Sequence, residues 1–168
     1  MKDGKYTWNP ADYAKNSAAQ FEWAAELIDK LKLNGDETLL DIGSGDGKVT
    51  AQIARQLPRG RVVGVDSSPG MVEQASASFG PPAYPNLSFR LMDALRLDFS
   101  EQFNVVFSNA TLHWVIDHRP VLEGVCRVLR KGGRLLFQMG GRGNARDIMD
   151  VFDVMMKETR WAPFFDRF

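Results

Sequence analysis

One stretch constrains this chain more than any other: Thr38-Leu39-Leu40-Asp41-Ile42-Gly43-Ser44-Gly45-Asp46-Gly47-Lys48. A short apolar run breaks into a turn holding three glycines, and apolar residues then return at helical spacing as Val49, Ile53 and Leu57. Strand, glycine turn and helix follow from that change of period. The unit repeats, because Arg61 to Asp66 is strand-like, Ser68 and Pro69 can open a helix, and Met71, Val72, Ala75 and Phe79 line its apolar side. Gly80 to Asn86 ends that helix, and further strands are expected at Leu87 to Leu91, Phe103 to Ser108 and Arg134 to Met139. Between the last two, Leu122, Val125, Cys126 and Leu129 form the apolar stripe of a helix that Gly132 and Gly133 stop. A leading helix from Asn9-Pro10 to about Leu33 carries Phe21, Ala24, Ala25, Ile28 and Leu31, and a final helix turns Ile148, Val151, Phe152 and Met155 inward. Strands alternating with helices through short glycine turns give parallel strands with right-handed crossovers, a doubly wound α/β fold.

Composition narrows the function. The chain has 168 residues, enough for one domain with its own core. Lys plus Arg and Asp plus Glu both number 21, so no net field recruits a polyanion, and nucleic acid is not an expected partner. The basic cluster Arg127, Arg130, Lys131 and Arg134 has no interleaved base-reading aromatics and is read as complementing a helix end and aiding solubility. A single cysteine, Cys126, rules out an intrachain disulfide and a cysteine-based zinc cluster; it is expected in the core. No apolar run is long enough for a membrane span and the first ten residues lack a signal peptide's apolar stretch, so a cytoplasmic protein is expected.

In a doubly wound sheet, ligands bind outside the carboxyl ends of the strands. A dinucleotide fingerprint would need a third glycine where Lys48 stands, and the acids Asp41 and Asp46 would repel a pyrophosphate. They suit a ligand with ammonium and sulfonium charges. Asp66, at the end of the second strand, can accept both hydroxyls of a ribose, and Asp93 can accept from an adenine amine while Met71 packs on the ring.

LLDIGSGDGKVT, VVGVDSSPGMVEQA, FRLMDALRLDF, FNVVFSNATLHWV and VCRVLRKGGRLLFQM, in this order, resemble the successive motifs of class I S-adenosylmethionine-dependent methyltransferases between about Thr38 and Met139. The resemblance implies a Rossmann-like methyltransferase sheet of parallel strands in the order 3-2-1-4-5. It places the methionine part of S-adenosylmethionine at Asp41, Gly43, Ser44, Gly45, Asp46 and Gly47, the ribose at Asp66 and Ser67, and the adenine at Met71, Asp93 and Ala94. The product would be S-adenosylhomocysteine, and no metal is implied: His113 and His118 form no recognised ligand set.

The fourth strand runs into Ser108-Asn109-Ala110-Thr111-Leu112-His113-Trp114, which lacks the prolines typical of DNA-adenine and glutamine methyltransferases. It resembles instead small-molecule enzymes such as trans-aconitate methyltransferase and juvenile hormone acid methyltransferase, which esterify carboxylates. That resemblance places Gln20, His113 and Trp114 at the acceptor, with Tyr13 and Asn16 closing over the cofactor and Asn109 beside it. Asn109 and His113 are the catalytic candidates. A carboxylate is already ionised at pH 7, so a packing or hydrogen-bonding role suits His113 better than that of a base.

The expected organisation is a single methyltransferase domain over residues 1–168: an N-terminal cap helix over 1–35, a cofactor-binding core over 36–140, and a C-terminal helix with an aromatic tail over 141–168. The family's sheet ends in an antiparallel pair for which too few residues remain, so a truncated chain lacking the last two strands is expected. Trp161, Phe164, Phe165 and Phe168 would then await a missing C-terminal segment or a dimer partner. Two other readings remain open: a cofactor-binding module without acceptor chemistry, and a nicotinamide-dependent oxidoreductase.

Overall fold

The computed structural model describes residues 18–165, with side chains from residue 24 onward. Its elements are helix α1 (Ala18–Lys30), strand β1 (Thr38–Ile42), α2 (Lys48–Gln56), β2 (Arg61–Asp66), α3 (Pro69–Ser78), β3 (Leu87–Leu91), β4 (Phe103–Asn109), a single 3₁₀ turn (Leu112–Trp114), α4 (Arg119–Val128), β5 (Leu129–Gln138) and α5 (Arg146–Met155), followed by a second 3₁₀ turn (Ala162–Phe164). The strands form one parallel sheet in the order β3-β2-β1-β4-β5, as the family resemblance implies.

β1, β2 and β4 are continuous apolar runs because both faces of the sheet are covered. One layer packs Leu27 and Ile28 of α1, Ile53 and Ala54 of α2, and Leu31 and Leu57 just beyond the two helices against Leu39, Val62, Val105 and Phe107. The opposite layer packs Val121, Val125 and Val128 of α4 with Leu97 and Leu112 against Leu40, Val63, Phe103 and Val106.

Four expectations are corrected here. α4 buries Val121, Gly124, Val125 and Val128, whereas Leu122 and Cys126 are exposed. The helix is rotated by about one residue, 100°, with Leu97 3.3 Å from where a Cβ on Gly124 would stand, an approach that a larger residue there would crowd. α4 also ends at Val128, before Gly132 and Gly133. Leu129 pairs with Phe103, Arg134 pairs with Val105, and the residues between bulge out through Gly132 at φ +77°. α1 buries Leu27, while Ala25 faces solvent; Asn9, Pro10 and the side chain of Phe21 lie outside the described residues. Finally, α5 buries nothing: Ile148, Val151 and Phe152 are exposed and Met155 is half-buried, since no layer covers that flank.

Phe107 is fully buried at the middle of the sheet, with Leu39 and Val105 in the same cluster. Phe107→Ala is expected to lower stability by about 3–5 kcal/mol, measured as the urea midpoint shift at unchanged slope.

Candidate active site

The loop after β1 is fixed to β2 by main-chain bonds. The amides of Gly43 and Ser44 both donate to the carbonyl of Val65, at 2.8 and 3.0 Å. Gly43 has φ +79°, and a Cβ there would stand 2.1 Å from the Thr111 side chain. Thr111 closes the contact, its hydroxyl donating to the Gly43 carbonyl at 3.1 Å. Gly47 at φ +81° ends the loop, where a side chain would strike Phe89 at 2.7 Å and Ala75 at 2.9 Å.

Asp66 leaves the end of β2 half-buried, and its two carboxylate oxygens accept one amide each: Oδ2 from Gly45 and Oδ1 from Ser68, both at 2.9 Å. An ionised carboxylate has about four acceptor sites, so both oxygens keep capacity for a ligand. Asp93 Oδ1 accepts from Leu95 N at 2.9 Å in an exposed turn, and Asp117 Oδ1 accepts from Arg119 N at 3.0 Å.

These loops enclose a cavity of about 910 Å³ at the carboxyl ends of β1, β2 and β4. Of the expected site residues it is lined by Gly43, Gly45, Asp66, Ser67, Met71, Asp93, Ala94, His113 and Trp114. Asp41, Ser44, Asp46, Gly47 and Asn109 do not line it, and Tyr13, Asn16 and the side chain of Gln20 lie outside the described residues. Asp41 is buried beneath the loop and accepts from the Thr50 hydroxyl at 2.7 Å. Asp46 is buried and lies 2.9 Å from the Lys48 ammonium, which balances its charge.

Among the described residues, the acids that face the cavity are therefore Asp66, Asp93 and Asp117, and no lysine or arginine lines it. Thr111 stood within the β4 motif without an assigned role, and Ile116 and Asp117 carried no motif to mark them. They reach the cavity because the 3₁₀ turn folds the chain back, a turn braced by Nε2 of His118 donating to the Leu112 carbonyl at 2.8 Å. His113 and Trp114 are exposed on that turn with ring centroids 5.1 Å apart. Among the described residues no cluster suits a metal ion, and no helix is long and apolar enough to cross a membrane.

A ligand that fits must be cationic or neutral, carry hydroxyls for Asp66 and present an apolar face to Met71, Val65 and Met92. Sheet order, glycine loop and acid at the end of the second strand define the class I S-adenosylmethionine-dependent methyltransferase arrangement. A methyltransferase domain family model matches residues 40–137, and the chain belongs to that family. It is 36% identical to an uncharacterised methyltransferase of Schizosaccharomyces pombe over 89% of this chain and 58% of the relative. It is likewise 36% identical to trans-aconitate 2-methyltransferase of Methylobacterium radiotolerans, over 79% of this chain and 49% of the relative. The chain thus spans about half to three-fifths of these relatives' length. Among solved structures, the YcgJ protein of Bacillus subtilis shares 26% identity and a TM-score of 0.64, covering 69% of this chain and 49% of that one. DhpI, solved in complex with S-adenosylmethionine, shares the fold at a TM-score of 0.65 and 22% identity, covering 84% of this chain and 65% of that one.

Burial, opposed by the Thr50 bond and reinforced by the charge of Asp66, pushes the Asp41 carboxyl up to about 7. Its unfolded value is about 3.9, so the folded state holds the proton more tightly and stability falls as pH rises from about 4 through 7. Asp41→Asn, which keeps an acceptor for Thr50, is expected to remove that part of the decline in denaturation midpoints measured across this range.

Proposed function

We propose that this chain, as a single methyltransferase domain, binds S-adenosylmethionine across the glycine loop and catalyses methyl transfer to a small molecule, most specifically to a carboxylate oxygen. The observation that carries the reading is the charge of the cavity: Asp66, Asp93 and Asp117 line it, and among the described residues no lysine or arginine does. Such a wall attracts a ligand bearing ammonium and sulfonium charges and repels a dianionic pyrophosphate. This weighs against a nicotinamide-dependent oxidoreductase.

Asp66, its geometry set by the Gly45 and Ser68 amides, offers its remaining acceptor sites to the ribose hydroxyls. Asp93 with Ala94 meets the adenine edge, and Met71 packs on the ring. Gly43 and Gly45 let the methionine part lie close to the main chain. Tyr13 and Asn16 close over the cofactor, with Asn109 on the β4 side, while Gln20, His113 and Trp114 face the acceptor. No metal takes part in this reading.

When bound, S-adenosylmethionine supplies an electrophilic methyl carbon: the acceptor oxygen's lone pair forms the C–O bond as the C–S bond breaks, and its electrons remain on sulfur. A carboxylate has no proton to lose at pH 7, so the protein's work is alignment and exclusion of water. His113, beside Trp114, serves as a positioning residue rather than a base. The trans-aconitate 2-methyltransferases among the relatives support a small carboxylic acid as acceptor. A cytoplasmic location fits the single cysteine, and a further C-terminal segment or a second subunit would cover the apolar C-terminal surface.

Calorimetric titration is expected to show binding of S-adenosylmethionine and S-adenosylhomocysteine but not NAD. Asp66→Ala should weaken S-adenosylhomocysteine at least about tenfold. NAD binding in preference would sink the reading. Formation of S-adenosylhomocysteine with trans-aconitate separates an enzyme from a binding module, and His113→Ala should retain measurable turnover. Complete loss with cofactor affinity intact would make His113 the base.

A further inference from the structure

The ladder between β1 and β4 stops at the pair Asp41 and Phe107. Beyond it two hydroxyls from the β4 side take the next two carbonyls of the β1 side in succession. Ser108 Oγ donates to the Ile42 carbonyl at 2.7 Å, and Thr111 Oγ1 donates to the Gly43 carbonyl at 3.1 Å. Ser108 is fully buried and outside the cavity lining, whereas Thr111 and Gly43 both line the cavity. The Thr111 bond therefore fixes a main-chain group of the cavity wall itself. Thr111 is held from other directions too: its hydroxyl lies 3.2 Å from the Asn109 carbonyl, and its own carbonyl accepts from the Trp114 amide at 3.0 Å. Just before it, Ala110 has φ +53°, a left-handed conformation that residues with a Cβ seldom adopt. The Ala110 amide donates to the Gln138 carbonyl of β5 at 2.8 Å. Strain of this kind persists where surrounding contacts over-determine it, and it clusters at functional sites. Here it accompanies the seating of Thr111 in the space that a side chain on Gly43 would need.

We propose that Thr111 is a positioning residue, which holds the Gly43 main chain, and with it the methionine part of the cofactor, in fixed relation to the turn that carries His113 and Trp114. One residue spans both sides: its hydroxyl reaches the glycine loop and its carbonyl starts the 3₁₀ turn. The inference rests on the S-adenosylmethionine reading given above. It gives Thr111 no proton to move and no direct bond to the acceptor; the hydroxyl acts through Gly43.

The test is calorimetry on the full chain with two probes: S-adenosylhomocysteine, and 5′-methylthioadenosine, which has the same adenine, ribose and sulfur but lacks the amino-acid part. Thr111→Val, equal in shape but without the hydroxyl, should raise the S-adenosylhomocysteine Kd about five- to tenfold. Its Kd for 5′-methylthioadenosine should stay within about twofold of the wild type, which also reports a folded cavity. Thr111→Ser, which keeps the hydroxyl, should bind S-adenosylhomocysteine within about threefold of the wild type. Unchanged S-adenosylhomocysteine affinity in Thr111→Val, equal weakening of both probes, or Thr111→Ser as weak as Thr111→Val would each overturn the positioning role alone. No binding of S-adenosylhomocysteine by the wild type would overturn the cofactor reading and the positioning role with it.

Discussion

The Val65 carbonyl is the point on which the cavity turns. By accepting from both Gly43 and Ser44 it ties the loop after β1 to the end of β2, and the rest of the wall follows. The neighbouring Asp66 then lies within reach of the Gly45 amide, which would otherwise be an open donor in a turn. Thr111, from the end of β4, fills the space that a side chain on Gly43 would need and bonds to its carbonyl. Three adjacent parallel strands are thereby locked at their carboxyl ends by main-chain groups and one hydroxyl. Such a lock is rigid without using the charged atoms, so the carboxylate of Asp66 is oriented and still able to accept.

Charge at the loop acts differently from what the residue types alone suggest. Asp41 and Asp46 flank the glycines in the sequence, yet one is buried with its carboxyl pushed up to about 7 and the other lies against Lys48. Neither projects a full, unbalanced charge into the cavity. The field comes instead from Asp66, Asp93 and Asp117, which approach from three different strand ends. The conclusion of a cation-selective cavity stands, but its source moves from the loop to the surrounding turns.

What could be read in advance follows from the same physics. β1, β2 and β3 have the bounds expected from Thr38, Arg61 and Leu87 onward, because a short apolar run between turn residues has few other places to go. The face of α4 was less legible. Two stripes one residue apart, Leu122-Val125-Cys126-Leu129 and Val121-Gly124-Val125-Val128, are nearly equal in hydropathy, and only the close approach of Leu97 to Gly124 decides between them. Ile116 and Asp117 were invisible for a related reason: their place in the cavity depends on a 3₁₀ turn and the His118 brace, not on periodicity. For Tyr13, Asn16 and Gln20 the family resemblance remains the source of their assigned roles.

Two surfaces of this chain differ in what they expose. On β5 and α5, Leu135, Ile148, Val151 and Phe152 stand exposed, the last by 42%. Burying such a side chain fully stabilises by roughly 1.5–3 kcal/mol, a gain that requires extensive complementary apolar area, which a polypeptide supplies and a metabolite does not. At the cavity mouth, by contrast, apolar Trp114 and Ile116 alternate with the acids Asp93 and Asp117.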